Sequence, residues 1–374
     1  METQAPIDVD YELARGELAD VLPFLAEMPD EIKNEEEFWA WNKRFDVGFL
    51  RMRGICAEDE RYRLFGLKIG GLCEVHPAED MKTKKIVVHR RLKGYLADDD
   101  PWYRRMFRAE IDTLKKLRGH PRWVQIIDRI SETETVMELV IGIPLHTLIN
   151  KWRAHDASGQ GLSLQKRMHL AALIGREAAE GLEPIHAQGQ IIRDISPSNM
   201  IVGRKGLTLI DLNLVGRDGE ASGDFAGKFN YLSPEAAMGN RQTAPSDLYS
   251  LGSVLFEIIM GHAPLFTNTE DDPDEIELLT RARRNKVRID LLPAHSPISD
   301  TIKELLAESR HHRPQTAVKL MKLLLPFVGA PRKYEWQPDM SLLPGEVDHD
   351  VLSISKGARG MLNELLRRLL SNAE

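Results

Sequence analysis

The chain has 374 residues, of which 42% are hydrophobic and 29% charged, a balance that excludes global disorder and a purely fibrous protein. A net charge of −7 argues against nonspecific nucleic-acid binding. No apolar run approaches the roughly 18 residues of a membrane span and METQAPIDVD lacks a secretory pattern, so neither a span nor a leader is expected.

Residues 1–60 carry 16 acidic and 6 basic side chains, a local net of −10 against +3 for the rest. That asymmetry predicts a separate acidic segment, 1–60, acting as a solvated extension or a docking arm. Within it, 11–28 and 35–53 are expected to be helical, Leu13, Leu18, Val21, Leu22 and Leu25 giving the first an apolar face. The two cysteines, Cys56 and Cys73, form no CxxC pair, which fits a reducing compartment and a cytoplasmic protein. From 61 to 140 short strand-like runs (LFGLKI, KIVVH, WVQIIDRI, TVMELVI) surround one helix at 102–118, with Phe107, Ile111, Leu114 and Leu117 at helical spacing. From 141 to 330 helices dominate, over 164–188, 246–260 and 300–307, interrupted by the β-type pieces MIVG and LTLIDL. Residues 331–374 are expected to be a connector followed by an amphipathic helix at 358–370. A small β-rich lobe followed by a larger helical one predicts a ligand cleft between them.

The chemistry concentrates in Ile191-Ile192-Arg193-Asp194-Ile195-Ser196-Pro197-Ser198-Asn199-Met200-Ile201-Val202, with Asp211 twelve residues after Asn199. Two carboxylates and a carboxamide oxygen are the donors that a hard, phosphate-bound divalent cation takes. By itself that spacing is a weak signal. The flanks strengthen it: RDISPSNMIV followed by DLN resembles the catalytic loop and metal-binding turn of eukaryotic-type (Hanks-type) Ser/Thr protein kinases. GKFNYLSPE (227–235), SDLYSLG (246–252) and Arg313-Pro314 are similar to three further motifs of that family, in order. The resemblance runs from about Tyr62 to Val328. It implies an α+β, bilobal protein-kinase-like fold with a β-rich N-lobe, a helical C-lobe and helical extensions at both ends. It also implies ATP and Mg²⁺ as cofactors, Asp194 as catalytic base and Asn199 and Asp211 as metal ligands. Met137, Glu138 and Leu139 would form the interlobe hinge and Glu110 the helix glutamate that pairs with a strand cation. Glu235 with Arg313, and Asp247 against the catalytic loop, would be structural.

Four departures from the family pattern bear on activity. The phosphate turn Lys68-Ile69-Gly70-Gly71-Leu72-Cys73-Glu74-Val75 keeps Gly70 and Gly71 but has Lys68 and Cys73 at the positions of other glycines, which makes it bulkier. The strand lysine is replaced by Arg90 or, with a one-residue slip, His89. Lys68 would either supply the missing ammonium, a relocation resembling that of with-no-lysine kinases, or face solvent. Ser196 and Lys228 stand where the family has lysine and threonine, an exchange that would return a cation to the γ-phosphate. Ile192 and Leu212 fill packing positions, and Asn213 replaces a glycine, where tolerance of positive φ is the expected reason. Arg193 is expected to receive either phosphorylated Ser222 or the acids around it. The resemblance thus implies a Ser/Thr protein kinase with an atypical phosphate grip acting on a protein substrate. The alternative is a pseudokinase that binds nucleotide or a regulatory protein partner, using the 1–60 and 358–370 segments as its surfaces.

Overall fold

A computed structural model describes residues 18–56, 61–99, 101–156, 162–219, 227–266, 273–294 and 296–328. The expected 331–350 connector, the 358–370 helix and Ser222 lie outside these residues, as does the start of the helix expected at 11–28.

The N-terminal helices end earlier than their periodicity suggests, each for a local reason. Helix α1 (Leu18–Val21) gives way to a 3₁₀ turn at Pro23–Glu27, because proline has no amide hydrogen to continue the ladder and forces Leu22 out of helical geometry. Helix α2 (Glu35–Phe45) opens on Asn34, whose side chain accepts from the Glu37 amide at 2.9 Å, with Glu35, Glu36 and Glu37 in the first turn. It closes at Asp46 in the left-handed conformation (φ 55°), followed by Gly48 at φ 91°. The helix expected over 35–53 therefore stops at Phe45. Residues 50–56 become strand β1 (Leu50–Cys56), because pairing with a neighbouring strand overrides helical spacing.

That strand is the edge of a six-stranded antiparallel sheet ordered β1-β2-β3-β4-β6-β5. The others are β2 (Tyr62–Ile69), β3 (Cys73–Asp80), β4 (Ile86–Leu92), β5 (Ile126–Arg129) and β6 (Glu134–Glu138). Strand β3 is interior yet contains Pro77, which cannot donate to a ladder. The conflict is absorbed by a register shift in β2 between Leu64 and Lys68. Gly66 lies there so close to the proline ring that a Cβ would come within 2.6 Å of it. Between β4 and β5 run α3 (Gly94–Asp99) and α4 (Pro101–Lys116); α4 buries Phe107, Glu110, Ile111 and Leu114 against the sheet.

The second lobe is helical. After β7 (Ile143–Pro144) and α5 (Leu145–Asp156) comes α6 (Leu164–Ala187), buried along most of its length. The site then occupies the stretch from β8 (Gln190–Ile191) through β9 (Met200–Gly203) and β10 (Gly206–Leu209) to β11 (Gly216–Arg217), arranged as sheets β10-β9-β7 and β11-β8. Helices α7 (Pro234–Ala237), α8 (Ala244–Met260), α9 (Glu275–Arg283), α10 (Pro297–Leu305) and α11 (Ala317–Val328) complete the lobe. Helix α8 is apolar nearly all round and is packed on several sides, as that composition requires. No helix among the described residues is long and apolar enough to cross a membrane.

Candidate active site

The loop between β8 and β9 is fixed from below. The buried Asp247 carboxylate on α8 accepts from the amides of Ile192 at 2.8 Å and Arg193 at 2.9 Å, and lies 2.9 Å from His186 Nε2. These bonds hold Arg193 at φ 67°, a left-handed conformation that costs a non-glycine residue about 1 kcal/mol or more. Ile192 and Leu212 are both buried, as expected of packing positions. Farther out, Arg313 grips Glu235 bidentately at 2.6 and 2.9 Å, and Ser246 donates to the same carboxylate at 2.7 Å.

On this base the three oxygen-bearing groups line one small pocket, together with Trp123 and Ile192. The Asn199 amide nitrogen donates to the Asp194 carbonyl oxygen at 3.0 Å and to Asp194 Oδ2 at 2.8 Å. Its own amide oxygen is left facing away from Asp194, accepting only a long 3.4 Å bond from Ser198. The Ile210 amide donates to the Asn199 carbonyl at 3.1 Å, tying the loop to the segment that carries Asp211. Asp194 Oδ1 is buried with no hydrogen-bond partner. Burial raises the Asp194 carboxyl above the usual carboxylate range; the Lys228 ammonium opposes this, Asp211 adds to it and Asn199 opposes it. Among the described residues no three His, Cys, Asp or Glu side chains form a metal cluster. The donor set, two carboxylates, one amide oxygen and room for water, instead suits Mg²⁺.

Above the loop, Arg90 rather than His89 turns toward α4. Its Nη1 donates to Glu110 Oε1 at 2.6 Å, both side chains being buried, and its guanidinium lies 5.6 Å from the centre of the Phe107 ring. Burial pushes the Glu110 carboxyl up, and the guanidinium opposes the rise. His89, one residue earlier on a pleated strand, faces the other side, near His76, Tyr62 and Glu134. Cys73 is a free, buried thiol; burial pushes it up to about 11 despite the nearby Arg90, so it stays protonated at neutral pH.

Lys68 is engaged on the N-terminal segment. Its ammonium donates to the Val47 carbonyl at 2.9 Å and stands over the Phe49 ring. In the β2–β3 turn the Gly70 amide donates to the Cys73 carbonyl at 2.9 Å, and Lys93 Nζ donates to the Gly71 carbonyl at 2.9 Å. Val75 sits in β3 opposite both Lys68 and Arg90. Met137 is buried in β6, Glu138 exchanges two hydrogen bonds with Gln125 at 2.9 and 3.0 Å, and Leu139 packs on the core. Lys228 Nζ donates to Ser196 Oγ at 3.2 Å and also to Ser198 Oγ. The hydroxyl and ammonium expected to meet across the loop are in contact.

Two site features escape a reading of the sequence. His146, at the start of α5, has its imidazole held below the ordinary value, chiefly by burial and further by the ammoniums of Lys68 and Lys228. Asn213 is not among the described residues with positive φ, so the expected reason for its presence is wrong. Its side chain is occupied instead, accepting from Arg90 Nη2 at 3.0 Å and donating to Asp211 Oδ2 at 2.9 Å. The only signal in the sequence was its position two residues from Asp211.

Residues 66–324 match the family described as protein kinase domain. The serine/threonine-protein kinase PknB of Mycobacterium tuberculosis is 31% identical over 284 residues, covering 70% of this chain and 42% of the relative. PknB of Mycobacterium leprae is 30% identical over 283 residues, with the same coverage. The DNA damage-responsive serine/threonine-protein kinase RqkA of Deinococcus radiodurans is 29% identical over 276 residues, covering 70% of this chain and 39% of the relative. The aligned part is thus about two fifths of the length of these curated relatives.

Proposed function

We infer, from the premise that this chain belongs to the protein kinase family as a Hanks-type Ser/Thr member, that it transfers the γ-phosphoryl group of ATP to a hydroxyl of a protein substrate. The observation that carries this is the shared cavity of Asp194, Asn199 and Asp211 beneath an assembled Arg90–Glu110 ion pair. An ion pair of this kind must be formed before a kinase site can act.

Asp194 is the base. Burial favours its neutral form and Lys228 its ionised form, so it is poised to take the proton of the attacking hydroxyl. The hydroxyl oxygen bonds to the γ-phosphorus, the bond from phosphorus to the bridging oxygen breaks, ADP leaves and the proton passes to Asp194. Asn199 Oδ1 and Asp211 are the residues that would hold Mg²⁺, which supplies positive charge to the phosphate oxygens when bound. Lys228, fixed on Ser196, brings a second positive charge to the same side of the loop. Arg90 is the remaining cation near the phosphates; Lys68 would have to leave the Val47 carbonyl to join it. Met137, Glu138 and Leu139 form the hinge wall for the base.

The test is thermal melting with ATP plus Mg²⁺ against ATP plus EDTA, paired with phosphate incorporation by wild type and Asp194→Asn. A stabilising shift that needs Mg²⁺, with incorporation lost by about 10³-fold or more in Asp194→Asn, is the expected result. A metal-dependent shift without incorporation would instead establish a nucleotide-binding pseudokinase. No shift at all would overturn both.

A further inference from the structure

We propose that Asn213 is a positioning residue that sets Asp211 and Arg90 relative to one another. The proposal rests on the preceding section for what Asp211 holds; the bridge itself is read from geometry. Arg90 donates through Nη1 to Glu110 Oε1 at 2.6 Å and through Nη2 to Asn213 Oδ1 at 3.0 Å. Asn213 returns two donors to Asp211: its backbone amide to Oδ1 at 2.8 Å and Nδ2 to Oδ2 at 2.9 Å. The Leu212 amide closes the chain on Glu110 Oε1 at 3.2 Å. The amide has one compatible orientation, because a guanidinium only donates and an ionised carboxylate only accepts.

The side chain, not the backbone, is what this position requires. Asn213 is not in the left-handed region that would demand glycine or asparagine. Arginine, however, is wider than lysine and spreads its donors over a plane. Arg90 Nη2 lies only 3.9 Å from Asp211 Oδ2. Without the Asn213 oxygen to occupy it, that nitrogen would close onto the carboxylate, pull it toward the sheet and neutralise the charge a cation needs. With the amide in place each Asp211 oxygen accepts one hydrogen bond from Asn213 and keeps a lone pair for a metal ion.

The test uses the full chain and Asn213→Ala, a substitution the backbone accepts. Two readouts are compared: affinity for Mn²⁺ plus ATP, followed by the Mn²⁺ electron paramagnetic resonance signal, and affinity for ATP in EDTA. Asn213→Ala is expected to weaken the first roughly tenfold and leave the second, and the ligand-free melting temperature, nearly unchanged. In an Arg90→Lys background the same substitution should cost much less, since a lysine there has no second donor to hold away from Asp211. Equal losses with and without metal, or equal losses in both backgrounds, would overturn the proposal. A crystal structure of ligand-free Asn213→Ala separates this from the kinase assignment. Arg90 in direct contact with Asp211 supports the bridge even if wild type binds no metal nucleotide. Both side chains unmoved refutes the bridge whatever the nucleotide result.

Discussion

Ser196 and Lys228 test a single question at the residue scale: whether a cation can change sides of a contact and still serve it. Ser196 is fully buried, and Lys228 Nζ lies 3.2 Å from its hydroxyl. Placing lysine at the buried position 196 beside Lys228 would crowd two ammoniums, and losing Lys228 would remove the cation that touches this hydroxyl pair. Each of Ser196→Lys and Lys228→Thr is therefore expected to lower phosphate incorporation about tenfold, the effect of roughly 1.4 kcal/mol. The double variant, which restores the family arrangement, should recover most of it. A double-mutant cycle on initial rates checks this; strictly additive losses would mean that the exchange is two unrelated substitutions.

Asp80 shows how an element's end is held and what pH should do to it. It closes the β3–β4 hairpin, accepting from the Lys82 amide at 2.9 Å, from the Thr83 hydroxyl at 2.9 Å and from Arg61 at 3.2 and 3.0 Å. Burial alone would raise its carboxyl, but these donors outweigh burial and lower it from 3.8 to about 2. Because the folded value lies below the unfolded one, the stabilisation is fully present above about pH 4 and is lost as pH falls through about 2. Urea unfolding of wild type and Asp80→Asn at pH 7, 4 and 2.5 should show a gap that narrows with acid. A gap constant with pH would remove the charge from the explanation. At this scale the helices α4, α6 and α8 and the strands β2, β4 and β6 were legible, because their apolar spacing coincides with the surface they bury. The order of RDISPSN, DLN and SPE likewise pointed to the loop that gathers Asp194, Asn199 and Asp211. Four features were not legible. Helix α2 ends where Asp46 and Gly48 turn the chain, and β1 exists only through its partner β2. In β3, Pro77 argues locally against a strand, and only the register shift opposite Gly66 explains how the sheet accepts it. At the site, Arg90 and His89 could be told apart only by which face of β4 each takes.

The whole molecule is held together by a segment that precedes the residues matched to the kinase family. Leu18, Val21, Leu22 and Leu25 join the core that contains α6, and Arg204, from the β9–β10 turn, bonds the Met28 carbonyl at 3.2 Å and Asp30 at 2.9 Å. Lys151 on α5 donates to the Phe45 carbonyl at 3.2 Å. The same segment then reaches the other lobe, where Glu35 pairs with Arg63 at 3.0 Å and Lys68 bonds Val47. Phe38 is its anchor: fully buried, with Trp39, Trp41, Phe49 and Phe65 around it at ring separations of 5.2 to 5.5 Å. Phe65 lies on β2, so the cluster grips the strand that leads into the Gly70–Gly71 turn. Phe38→Ala should cost about 3–5 kcal/mol, the range for emptying an aromatic core site. Lys151→Ala, which removes one partly exposed bond, should cost about 1 kcal/mol or less. Urea midpoints at unchanged slope measure both. If the segment were a loosely held acidic arm, Phe38→Ala would cost no more than Lys151→Ala, and the two lobes would owe their relative placement to the hinge alone.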